Sequence, residues 1–117
     1  MAPPGEAYLI ELVGLARGEP TPHDGSYLVH YDPVAHYAAW LGCPLGEIVT
    51  TRDPERAHQF ASKADAVRCW QQEAGTRPDG KPNRPLTSWT ILIRSVADAI
   101  LLTRMRARLT GAADEPC

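Results

Sequence analysis

His23, His30, His36, His58 and Cys43 carry the side chains of this chain best suited to metal chemistry, since imidazole and thiolate are the usual zinc donors. Their spacing argues against that use. No two of them stand in a C-x-x-C or H-x-x-x-H arrangement, and they scatter over four separate predicted elements, so neither metal nor cofactor is expected. His23-Asp24-Gly25-Ser26 holds the residue types of a nucleophilic triad. Neighbours within one turn, however, cannot line up as nucleophile, base and orienter. There is no nucleophile elbow and no phosphate-binding glycine loop, and the carboxylates are dispersed. Cys69, beside Trp70 in a predicted helix, reads as half-buried packing and not as an activated thiol. No catalytic residue is assigned.

Binding chemistry has better candidates. Arg77-Pro78-Asp79-Gly80-Lys81-Pro82-Asn83-Arg84-Pro85-Leu86-Thr87 loses three backbone donors to proline, which excludes a helix interior or a central strand. Pro78 and Gly80 suit positions i+1 and i+3 of a type I turn, and the residues before Pro82 and Pro85 are pushed toward extended geometry. The segment is therefore a stiffened loop presenting Arg77, Lys81 and Arg84. A loop already ordered has less freedom to lose on binding. Tyr37 and Trp40 form the other candidate contact, because Tyr, Trp and Arg dominate interface energetics. For Trp40 the ordinary expectation is burial, as a plug over the sheet edge.

Charge is unevenly spread. The chain has 117 residues and a net charge of −2, yet residues 77–110 hold seven Lys/Arg against Asp79 and Asp98. Arg94, Arg104, Arg106 and Arg108 extend the basic region and would reach phosphates if they fell on one face with the loop. An acidic remainder and the lack of a nucleic-acid-reading motif weigh against that. Nucleic acid is thus the secondary partner, and a solvated arginine face is the plainer reading.

The elements that must position these residues follow from patterning. Residues 1–6 read as a disordered leader, 7–110 as one α+β domain and 111–117 as a frayed tail. Ala7–Gly14 is a strand with two apolar faces, hence central, and Tyr27–Tyr31 is a second strand. Asp32-Pro33 signals a short helix over 34–41, stopped by Gly42. Glu47–Thr51 is a short strand. Asp53-Pro54-Glu55 starts one further turn, and Ser62 with Asp65 caps a helix over 63–74. Ser88–Val96 alternates as the clearest strand, and Ala97–Leu109 is a helix. Phe60, Trp70 and Trp89 are expected in the core. The order is β-β-(short α)-β-α-β-α: a small antiparallel sheet of about four strands, helices on one face.

No apolar run approaches the ~20 residues needed to span a bilayer, and Met1–Glu6 lacks the features of a signal peptide. Three scattered cysteines (Cys43, Cys69, Cys117) fit reduced thiols and a cytoplasmic setting. Leu101, Met105 and Leu109 on the last helix offer a stripe for homodimer formation.

Tyr27-Leu28-x-x-Tyr31-Asp32-Pro33, then Thr51-x-Asp53-Pro54-x-x-Ala57-x-x-Phe60, then Trp70 and the Arg77–Thr87 loop together resemble small uncharacterised proteins of bacteriophages and prophages. The resemblance covers residues 27–93; the stretch 35–44 and the last helix depart from it. That family has no established activity, so it implies no catalytic residue. It implies a setting in the cytoplasm of a bacterial host, where such accessory proteins bind and block a host protein. The expectation is a non-enzymatic protein-binding module, in its sharpest form an inhibitor of a host defence complex.

Overall fold

The computed structural model describes residues 7–111. The expected leader over 1–6, and residues 112–117 of the expected tail with Cys117, lie outside the described residues. A four-stranded antiparallel sheet and two helices make an α+β domain, as expected from the pattern. The strands are β1 (Tyr8–Leu15), β2 (Ser26–Asp32), β5 (Glu47–Thr51) and β6 (Trp89–Ser95), in the order β5-β2-β1-β6. A separate two-stranded hairpin pairs β3 (Tyr37–Ala38) with β4 (Cys43–Pro44). The helices are α1 (Lys63–Trp70) and α2 (Val96–Arg106), the latter running on into a π-turn over Ala107–Gly111. No helix among the described residues is long and apolar enough to cross a membrane.

β1 lies between β2 and β6 because its residues are apolar on both sides. Ile10 and Leu12 point to one face, where Leu28, Phe60, Ala66 and Leu86 close a core flanked by Trp70, Trp89, Ile91 and Ile93. Leu9 points to the other, against Tyr27, Ala57, Ala99 and Val96. Ala66 belongs to α1 and Ala99 to α2, so each helix covers its own face. The expectation of both helices on one face is corrected here. The physical reason is Leu9: a central strand with two apolar faces needs a cover on each.

β1 and β2 pair only around Glu11↔Tyr27 and Leu12↔Ser26. Beyond that point they part, and residues 58–60 fill the gap. Tyr8 exchanges both backbone bonds with Phe60 (2.9 and 2.8 Å), while the Leu28 carbonyl accepts from the His58 N–H at 2.9 Å. Phe60 is thereby driven into the core, as its place between two capped turns predicts.

The two Asp-Pro signals diverge. Asp53 accepts from the Glu55 N–H at 3.0 Å and caps a 3-10 turn over Pro54–Arg56. Asp32 likewise accepts from the Val34 N–H at 3.1 Å, but no helix follows. The expected short helix over 34–41 is replaced by the β3–β4 hairpin. His36 takes a positive φ of 59°, and the Ala35 and His36 carbonyls accept from Gly46 and Leu45 instead of continuing a helical ladder. α1 begins as its cap predicts, with Ser62 Oγ accepting from the Asp65 N–H at 3.1 Å. It ends at Trp70, earlier than the expected Ala74, because the Ala74 N–H is taken by the Asn83 carbonyl at 2.7 Å.

Candidate functional site

The proline-rich loop is a hairpin at its tip and an anchor at its base. The Gly80 N–H donates to the Arg77 carbonyl at 2.9 Å, and the Arg77 N–H donates to the Lys81 carbonyl at 2.8 Å. This is the expected type I turn over Pro78-Asp79, closed by Gly80 at φ 84°, a left-handed position that glycine occupies without strain. Thr76 and Pro82 pair across it. The tip from Arg77 to Pro82 is exposed, whereas Asn83, Pro85 and Leu86 are buried.

Asn83 holds the base. Its Nδ2 donates to the carbonyls of Pro44 and Ala74, each at 2.7 Å, and its backbone pairs with Ala74 and Gly75. One amide thus ties the proline hairpin to the β3–β4 hairpin. Gly46 makes the approach tighter: a Cβ there would lie 2.9 Å from Pro85 Cβ, and its φ is 80°. Below, the Leu86 N–H donates to Tyr31 Oη at 3.2 Å. Burial pushes that phenol up to about 12. Asn83 escaped the sequence reading, although a polar residue between two prolines with its neighbours fixed is a natural clamp.

Between the two hairpins runs a groove of about 450 Å³, bordered by Trp40, Arg77 and Arg84 and, from the end of β1, Arg17. Three of the five expected contact residues therefore meet. Tyr37 and Lys81 do not line the groove; both are exposed on the flanking hairpins. Trp40 is 78% exposed and Tyr37 67%, which corrects the expectation that Trp40 plugs the sheet edge. With no helix at 34–41, its side chain is displayed from the hairpin turn. Arg84 Nη2 sits 3.2 Å from Glu73 Oε1, and Arg17 Nη2 2.8 Å from Glu19 Oε1. These pairs are exposed and are worth little in isolation, so a stronger carboxylate partner can displace them. Arg17 was missed because it lies sixty residues from the loop in sequence.

Arg94, Arg104, Arg106 and Arg108 do not join this site. Arg94 Nε donates to Glu11 Oε1 at 2.6 Å and is committed within the sheet. The other three are exposed on α2 and the turn after it, and none of them lines the groove. The histidines are apart as well: His23 Nδ1 lies 2.8 Å from Thr50 Oγ1, His36 Nε2 3.2 Å from Glu47 Oε2, and His58 stacks edge-on to Phe60. Among the described residues no group of three or more His, Cys, Asp or Glu is placed to hold a metal ion. Cys69 packs against the core, and burial pushes its thiol up.

Comparison with protein-family models, with curated proteins and with solved structures found no match.

Proposed function

We propose that this chain is a non-enzymatic protein-binding module whose contact surface is the groove between the two hairpins. The observation carrying the reading is that Trp40 and Arg77, from distant segments, border one groove while Trp40 stays 78% exposed. An exposed tryptophan beside guanidinium groups is the composition of an interface centre, not of an ordinary solvated surface. The chemistry fits a partner that presents carboxylates next to an apolar or aromatic side chain. Guanidinium forks take the carboxylates, and the indole takes the apolar group. Both walls are tied to Asn83, so little ordering is required on binding. The phage-like residue pattern makes the partner a protein of a bacterial host, in the host cytoplasm, with a defence complex as its sharpest form.

The test is a comparative pull-down from bacterial lysate. Wild type and Arg108→Glu, altered outside the groove, are expected to retain the same partner. Trp40→Ala and the double variant Arg77→Glu/Arg84→Glu are expected to lose it. An identical partner list from all four proteins removes the groove from the contact.

A further inference from the structure

Among the described residues, the outer strand β6 is an open edge. Hydrogen bonds at the two ends of its ladder, Val96 N–H to the Ala7 carbonyl (2.9 Å) and Ala16 N–H to the Ser88 carbonyl (2.8 Å), set the alternation between β6 and β1. Thr90, Leu92 and Arg94 turn their backbone groups toward β1, so Ile91 and Ile93 turn theirs away from it. Among the described residues the edge is closed only at its start, where Trp70 Nε1 donates to the outward Trp89 carbonyl at 3.1 Å. Beyond that, no proline, lysine or bulge on β6 guards it, and the one charge present, Arg94, is drawn back to Glu11. Such devices normally keep an edge from pairing. Beside the edge lies an apolar groove of about 460 Å³ bordered by Val67, Trp70, Ile91 and Ile93.

We infer that β6 pairs with β6 of a second copy of this chain, antiparallel about a two-fold axis at Leu92. The strand is complementary to itself in that register. Ile91 of each copy exchanges both backbone bonds with Ile93 of the other, which satisfies the groups left outward. The side chains across the seam are then Ile91 against Ile93, a favourable β-branched pair, and Leu92 against Leu92 on the opposite face. Leu92 is 44% exposed in the single chain and gains cover. Arg94 falls opposite Thr90, so no like charges meet. Antiparallel pairing of β6 with its own copy is isologous, and the two sheets join into one continuous sheet with closed symmetry. The surface differs from the groove of the proposed function and from the Leu101–Met105 stripe of α2.

The test is sedentimentation-equilibrium mass on the full chain, with amide exchange of Ile91 and Ile93 followed at high and low protein concentration. Wild type is expected to be dimeric, with both amides protected in proportion to the dimer. Leu92→Lys sets two ammonium groups against each other on the axis without touching the core. It is expected to weaken dimerisation by about tenfold or more while circular dichroism is unchanged. Met105→Lys, on α2, is expected to leave the dimer intact. A wild type that remains monomeric, including one that pairs its edge only with a strand of another protein, overturns the inference. So does a dimer that survives Leu92→Lys or that dissociates with Met105→Lys.

Discussion

The two faces of the sheet are built from different materials. On the α1 side, Ile10, Leu12, Leu28, Phe60 and Leu86 make a continuous apolar layer, widened by half-buried Trp70 and Trp89. On the α2 side the buried apolar cluster is Leu9, Tyr27, Ala57 and Ala99, and two polar groups lie beside it. Glu11 is 5% exposed and meets Arg94, and the Tyr27 hydroxyl is buried without a hydrogen-bond partner among the described residues. The lesson is about what each face contributes. Apolar area removed from water stabilises at about 25 cal/mol per Å², and the α1 face supplies most of it. A buried ion pair roughly cancels its own desolvation, so on the α2 face the gain lies in fixing register between β1 and β6.

Three measurements probe that contrast. Arg94→Ala strands the Glu11 carboxylate and is expected to cost about 3–5 kcal/mol in denaturant unfolding. Joint replacement, Glu11→Leu with Arg94→Leu, is expected to recover most of that loss. A single variant within about 1 kcal/mol of wild type would show that Glu11 is not held dry by its partner.

Tyr31, on the α1 side, gives a pH signature. Its phenol ionises at 10.0 in the unfolded chain and at about 12 when folded. Between those values the unfolded chain loses a proton that the folded one keeps. The contribution is therefore complete below about pH 10 and declines as pH rises toward 12. Tyr31→Phe removes the acceptor for the Leu86 N–H and is expected to be about 1 kcal/mol less stable at neutral pH. That gap should narrow through the alkaline range. A gap of constant size from about pH 9 to 12 contradicts the assignment.

The smallest effect is expected at Tyr27→Phe. Removing a hydroxyl that has no partner should change stability by less than about 0.5 kcal/mol, or raise it. A clear loss would reveal a bond for that hydroxyl and make the α2 face more polar in character than described.

Much of this architecture was legible locally. The Ser62 cap, the alternation of β6, the Asp53-Pro54 turn and the type I turn at Pro78-Asp79 each depend on a few adjacent residues, and each is present. The corner at 33–46 was not, although it opens with the same Asp-Pro pair. Two helical turns are too short to hold without a surface to pack on, and Gly42 and Gly46, at φ 75° and 80°, let the chain close a hairpin instead. In the candidate site, the arginines and Trp40 were readable by type, but not their convergence, which depends on Asn83 reaching back to Pro44. Glu11 was the overlooked signal: a carboxylate in the middle of an otherwise apolar central strand implies a buried cationic partner, and Arg94 answers it from the neighbouring strand.

Asn83 meets Pro44 across 39 positions of chain. The separation between tryptophan and guanidinium is consequently gauged by one carboxamide, whatever the length of backbone looping between them. Extra residues grafted at the exposed Glu55–Arg56 turn should lengthen the protein while leaving the jaw the same width.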